Sequence, residues 1–305
     1  MAPLPLVLLC LVLPVAPLAA AQPMRSFSAS DGPWRPTESN RTLVSPGGDF
    51  AAGFLPAASA GPGTYHFAVW VVGASSADRT VIWYAHGPNN SSAYEADGAS
   101  ALAVDAAGRL SWSDAGNGTV WSPAPNAFAS AAALLLNDTG SLVYGAAWSS
   151  FAEPTHTLMP GQAIQGGNGT TTLRSANGRY ALVNSATLQL EVGGGHQYAN
   201  VSSGSALLSL TDDGKLILSG GTPPQLIASD QGATKRVRRL TLDDDGNLRL
   251  YSLVPRSQRW SMVWQLVQDS RSFDAAKLVV TRLEAAEPVL MHFRSSRARF
   301  AAIIT

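Results

Sequence analysis

One cysteine, Cys10, is all that the 305-residue chain carries, and it falls in an N-terminal stretch read below as a signal peptide. The mature chain is therefore expected to have no disulfide, so packing alone must hold it together. Charge is scarce and balanced: 21 Lys and Arg face 21 Asp and Glu, and only 14% of residues are charged. That excludes the broad basic field that nucleic acid or an acidic lipid surface would need. Beyond residue 21 no apolar run approaches the roughly 18 residues of a membrane helix, so no membrane span is expected there. The five histidines, His66, His86, His156, His196 and His292, are scattered, and no H-E-x-x-H pairs any of them. There is no G-x-S-x-G elbow and no reactive cysteine in the mature chain, and acid pairs such as Asp212 and Asp213 sit in turns, where acids are common for backbone reasons. Thr241, Asp243, Asp245 and Gly246 fall at the first, third, fifth and sixth positions of a calcium loop, but Ser252 stands where the twelfth-position glutamate is required. No metal, cofactor or enzymatic activity is expected.

What is present points to short strands. Glycine is abundant at 28 residues and charged helix-forming blocks are few, so tight turns joining strands in an all-β chain are the expectation. The opening "MAPLPLVLLCLVLPVAPLAAAQ" has an apolar core closing on Ala19, Ala20 and Ala21, the small-residue pattern of a signal peptidase site, and its prolines argue against a membrane anchor. Seven asparagines, Asn40, Asn89, Asn90, Asn117, Asn137, Asn168 and Asn200, lie in N-x-S/T glycosylation sequons, consistent with a secreted, extracellular glycoprotein.

The chain repeats itself. "ALAVDAAGRLSWSD", "ALLLNDTGSLVYG", "ALLSLTDDGKLILSG" and "RRLTLDDDGNLRLYS" share one grammar of alternating apolar residues, a polar turn ending in glycine, and more alternation. Each reads as a β-hairpin. Their glycines, Gly108, Gly140, Gly214 and Gly246, are spaced by 32 within each pair, and "RYALVNSATLQLEV" looks like a fifth copy without its glycine. Two repeat-built modules follow, with a junction near "EPTHTLMPGQ", where Pro154 and Pro160 bracket a segment that cannot continue a sheet interior.

Within the last repeat, "DDDGNLRLY" places Asp245, Asn247, Arg249 and Tyr251 on one strand face and Leu248 and Leu250 on the other. The leucines are expected in a core, and the polar face is expected to be exposed and available to a ligand.

"FAVWVVGASSADRTVIWYAHGPN", "TVWSPAPN", "ALLLNDTGSLVYGAAWSSFAEPTHTLMPGQ" and "RRLTLDDDGNLRLYS", in that order over residues 26 to 266, resemble the paired bulb-type (mannose-binding) lectin domains of plant S-domain receptor-like kinases. The resemblance implies two tandem β-prisms, each of three four-stranded antiparallel sheets, with Trp112, Trp121, Trp148, Trp260 and Trp264 in their cores. It divides the chain into a signal peptide at 1–21, lectin domains at 22–155 and 156–268, and a divergent tail at 269–305. Read onto the family's sugar motif Q-x-D-x-N-x-V-x-Y, the acid is Asp245, the amide Asn247 and the tyrosine Tyr251, while Asp243 replaces the glutamine and Arg249 the valine. The other copies depart further. "TDDGKLILS" keeps only Asp213, with Lys215 and Ser219 elsewhere in the pattern, "NDTGSLVYG" substitutes Asn137, Thr139 and Ser141, and "DAAGRLSWS" keeps none.

The implied function is that of a secreted lectin-like recognition protein taking mannose-type glycans or glycoproteins at Asp243, Asp245, Asn247 and Tyr251. The alternative is a protein-recognition module with vestigial sugar sites, which would pair with other receptor-like ectodomains. No cysteine-rich module or kinase motif follows the repeats.

Overall fold

The computed structural model describes residues 23–267 apart from 39–40, 58–60, 74–78, 88–92, 117, 124–132, 147, 165–172, 185–187, 193–194, 201–206, 220–225 and 258. The fold is all-β. Its first sheet contains β1 (Leu43–Val44), β2 (Phe50–Pro56), β3 (Thr64–Val72) and β4 (Arg79–Tyr84) in that spatial order, with β5 (Ala96–Asp97) also pairing β3. The second is β6 (Ala101–Val104), β7 (Leu110–Ser113) and β8 (Thr119–Trp121), and the third is β9 (Leu134–Leu136), β10 (Leu142–Tyr144) and β11 (Trp148–Ser149). Two short strands follow, β12 (Thr157–Leu158) and β13 (Ala163–Ile164). The fourth sheet is β14 (Leu173–Arg174), β15 (Tyr180–Asn184), β16 (Leu188–Val192) and β17 (His196–Asn200). The fifth joins β13 to β18 (Leu207–Leu210), β19 (Lys215–Ser219) and β20 (Leu226–Ile227), and the sixth joins β12 to β21 (Val237–Leu242), β22 (Leu248–Leu253) and β23 (Ser261–Gln265). Every strand pairing within these sheets is antiparallel.

The expected three four-stranded sheets are present in the second half, but the first half has sheets of five, three and three strands. The missing strands survive as single bridges. Phe27 pairs with Leu134 of β9 and Trp34 with Leu102 of β6, the places that Leu158 of β12 and Ile164 of β13 occupy against Leu240 and Leu208. The "EPTHTLMPGQ" segment thus supplies an edge strand. Thr155, Thr157, Leu158 and Met159 are buried in it, so the segment is tied into the fold rather than exposed as a linker.

The two main cores differ in chemistry and do not divide strictly by half, since Met159, Val237 and Leu253 join the first. The first is aromatic: Trp34, Phe67 and Trp112 are buried, and Trp83, Trp121 and Trp148 meet edge to face with ring centroids 5.5 to 5.8 Å apart. The second is built mainly of leucine, with Leu182, Leu190, Leu208, Leu240, Leu248 and Leu250 all buried. Trp260 and Trp264, only partly buried, pack against the first and second cores respectively.

Every sheet has one turn of the same kind. In the four expected hairpins the residue three before the glycine accepts from the glycine N–H and donates to the carbonyl one residue past it, as in Gly246 N–H to Asp243 O at 2.9 Å and Asp243 N–H to Asn247 O at 3.0 Å. The sequence pattern missed two more, Ser45 to Phe50 with Gly48 and Ser175 to Tyr180 with Gly178, because these loops are one residue longer. The second of them corrects the fifth repeat: Tyr180–Asn184 and Leu188–Val192 do pair, but the glycine turn lies upstream, between β14 and β15, and residues 185–187 lie outside those described. Gly246 needs to be glycine, since its φ is +87° and a Cβ would come within 2.7 Å of the Tyr180 ring. The turns also meet in pairs. Asp138 Oδ1 accepts from Gly47 N–H at 2.6 Å in the first half, and Asp244 Oδ1 accepts from Asn177 N–H at 2.7 Å in the second, an internal echo of the duplication.

Candidate functional site

The outer face of β21 to β23 carries the expected site. Leu248 and Leu250 point into the core at 1% and 0% exposure, while Arg249 and Tyr251 alternate with them on the outer side, as period-two geometry requires. Asp243 and Asp245 stand in the turn that precedes β22, and all four polar side chains converge.

Their convergence is an internal network. Arg249 Nη1 donates to Asp243 Oδ2 at 2.7 Å and to Asp245 Oδ1 at 2.9 Å, and Nη2 donates to Asp245 Oδ2 at 2.7 Å, giving the forked pairing typical of arginine and carboxylate. Tyr251 donates its hydroxyl to the same Asp243 Oδ2 at 2.7 Å. Bonds to Asp245 and Asp243 raise the Arg249 pKa above its ordinary value, while burial pushes the Tyr251 phenol up to about 12, helped by its bond to Asp243. The arginine that replaces the motif's valine therefore occupies the carboxylates that the motif would turn toward hydroxyls.

Asn247 departs from expectation most sharply. It is 2% exposed. Its amide clasps the chain beyond β23, with Nδ2 donating to Val267 O at 3.2 Å and Oδ1 accepting from Val267 N–H at 3.1 Å. Ser141, the matching position of the third sheet, is likewise buried and bonds to Ser149 of its edge strand at 2.8 Å. In these two sheets the polar side chain fastens the last strand, whereas Arg109 and Lys215 at the same position are exposed and pair with Asp105 and Asp213, and Asn247 is not on the exposed face.

A residue outside the motif completes the face. The Arg239 guanidinium lies 4.3 Å from the Tyr251 ring centroid and 4.7 Å from that of Trp260, so it covers the aromatic surface on which a sugar ring would stack. Arg239 Nη1 donates to Thr241 Oγ1, and Trp260 Nε1 donates to Thr80 Oγ1 of β4 at 2.8 Å, which ties this face to the first half. The tie is reinforced nearby: His156 stacks on Tyr84 at 5.7 Å and 11°, with its Nε2 3.1 Å from Val81 O. Sequence reasoning missed Arg239 because it belongs to the neighbouring strand, opposite Tyr251 in register.

The remaining sites show the same loss. Asp213 is engaged by Thr211 and by Lys215 at 3.2 Å, and Ile217 holds the ring-contact position at 44% exposure. Thr139 is exposed, as is Asn137, the one sequon asparagine whose side chain is described. Asn40, Asn89, Asn90, Asn117 and Asn168 lie outside the described residues, and Asn200 closes β17. Among the described residues no helix is long and apolar enough to cross a membrane.

The antiparallel sheets, three in each half, define a β-prism protein. The chain is homologous to the G-type lectin S-receptor-like kinases of plants. It is 31% identical over 261 residues to the G-type lectin S-receptor-like serine/threonine-protein kinase SD3-1 of Arabidopsis thaliana, covering 75% of this chain and 33% of that protein. It is 28% identical over 270 residues to LECRK2 of Oryza sativa subsp. indica, covering 79% of this chain and 32% of that protein, and 29% identical over 280 residues to the putative receptor protein kinase ZmPK1 of Zea mays, covering 81% and 32%. The chain thus spans about a third of the length of these relatives. No protein-family model matches it. Among solved structures, the Japanese Marasmius oreades lectin aligns at a TM-score of 0.30 with 19% identity, over 36% of this chain and 89% of that one, a likeness too slight to bear on the fold.

Proposed function

We propose that the chain is a secreted, extracellular lectin-like recognition protein, cleaved after Ala21 and glycosylated at its sequons, with lectin units at 22–155 and 156–268. Its candidate carbohydrate face is the outer side of β21 to β23, and the proposed ligands are mannose-type glycans or glycoproteins. The observation that carries this reading is the bond of the Tyr251 hydroxyl to Asp243 Oδ2, which brings a hydroxyl and a carboxylate within reach of one sugar ring, with Arg249 as the group that a ligand displaces. A hydroxylated ligand binds there by exchanging its own hydrogen bonds for these internal ones, so affinity is weak. A glycan array on the secreted protein, followed by titration with methyl mannoside, tests it. Retention of mannose-type glycans that is lost in Asp243→Asn and Tyr251→Phe is the expected result, and a blank array removes the reading.

A second reading is favoured by Asn247, whose amide is spent on Val267. In it the sugar sites are vestigial and the prism faces bind protein, including other receptor-like ectodomains. Pull-down of such ectodomains by a protein that is blank on the array separates the two.

A further inference from the structure

At the end of the sixth sheet opposite the 243–247 turn, two loops are rich in cations, and their one acid, Asp230, is paired with the buried Arg238 at 3.2 Å. Lys235 and Arg236 lead into β21, and Arg256 and Arg259 lie in the connection from β22 to β23. The loops are neighbours because Val237 pairs with Leu253 and Ser252 with Ser261. All four side chains are exposed, and none makes an ion pair among the described residues. Arg25 joins them: it donates to Ser45 O on the turn whose Gly47 O accepts from Arg256 Nη2 at 3.4 Å. The stretches 231–242 and 246–267 contain no aspartate or glutamate. The acids at the adjoining turns are Asp49 and Asp138, and Asp138 is engaged by Gly47 N–H. In a chain whose charges balance overall, five exposed cations gathered at one place are a local excess.

The backbone supplies a second, independent observation. Among the described residues only two that are not glycine have positive φ, and they are Lys235 at 54° and Arg256 at 62°. Long side chains rarely adopt this left-handed conformation, and such outliers gather at functional sites. Here both lie in the two adjoining loops, and both carry a cation outward.

We propose that this end of the sheet, formed by Arg25, Lys235, Arg236, Arg256 and Arg259, is a binding surface for a carboxylated polysaccharide, a polyuronate chain. Guanidinium forks pair with carboxylates in a planar, two-point geometry, and a polymer of regularly spaced carboxylates engages several at once. The surface lies away from Asp243 and the 243–247 turn, so it binds independently of any mannose site. It rests on the extracellular reading of the chain only in the choice of a glycan as the polyanion.

The test is binding of the full chain to polygalacturonate and to its fully methyl-esterified form, at roughly 0.05 M and roughly 0.5 M salt. Binding to the free acid, loss on esterification and marked weakening at high salt are expected. The variant Lys235→Asn, Arg236→Gln, Arg256→Asn, Arg259→Gln removes four charges while placing asparagine, which tolerates left-handed backbone, at the two positive-φ positions. It should bind at least about tenfold more weakly. Arg259→Gln alone, which leaves the two left-handed positions untouched, should also weaken binding and guards against a folding defect. Asp243→Asn and Tyr251→Phe should leave it unchanged, which separates this surface from the mannose reading. Equal binding to the esterified polymer, unchanged binding by the variants, or binding to phosphatidylserine vesicles without binding to polygalacturonate would overturn the proposal.

Discussion

The Tyr251 hydroxyl and Arg249 Nη1 meet at a single atom, Asp243 Oδ2, each at 2.7 Å. Two donors on one oxygen make the arginine the switch of this face. Replacing Arg249 with valine restores the residue that the motif places there and releases Asp243 and Asp245. The variant should bind methyl mannoside more tightly by calorimetry and lose about 1 kcal/mol of stability, the scale of a partly exposed ion pair. Unchanged affinity would mean that the face has no sugar function.

Asn247→Ala should behave as a structural lesion. Removing the amide leaves Val267 N–H and O without their partners, a loss of about 1–3 kcal/mol that a thermal melt would read. If the melting temperature does not move, the clasp contributes nothing.

Gly246→Ala and Gly178→Ala separate two costs of a side chain at a turn. Both glycines have positive φ, +87° and +73°, but an added Cβ at Gly178 meets nothing within 4 Å, whereas at Gly246 it strikes Tyr180 at 2.7 Å and the Tyr198 hydroxyl at 2.9 Å. Gly178→Ala should cost about 1 kcal/mol in denaturant unfolding, and Gly246→Ala about 1–3 kcal/mol more. Equal costs would contradict the packing of Tyr180 against the turn.

His156 should make the junction acid-sensitive. Burial, and then the charge of Arg239, bring its pKa from 6.5 down to about 4, while the bond to Val81 O and the charge of Asp244 oppose the shift. Because the folded value lies below the unfolded one, this contribution is complete above about pH 6.5 and is lost as pH falls toward 4, on the order of 1–3 kcal/mol. Melting temperatures between pH 7 and pH 4 should fall further for wild type than for His156→Gln, and parallel curves would show that His156 does not drive the loss.

Much of this was legible in sequence, and the failures have physical causes. Period-two alternation placed Leu248 and Leu250 inside and Arg249 and Tyr251 outside because it depends only on neighbours along one strand, so Leu248→Asp should disrupt the second core. Four glycine turns were visible because their loops share one length. Gly48 and Gly178 were hidden by a single extra residue in the loop. The burial of Asn247 and the cover of Arg239 over Tyr251 arise from partners on other strands, which no local pattern encodes. Trp112, Trp121 and Trp148 lie in the core as the resemblance implied, whereas Trp260 reaches across to Thr80.

The single bridges and short strands that close the sheets also set an order of events. Leu158 must await Leu240, Ile164 must await Leu208, and Phe27 must await Leu134 before their sheets are complete. Pairings between such distant parts of the chain are slow to form, since the intervening loop must close before any contact rewards it. As the chain emerges during synthesis, each half waits for its last hairpin, and its earliest residues are among the last to settle.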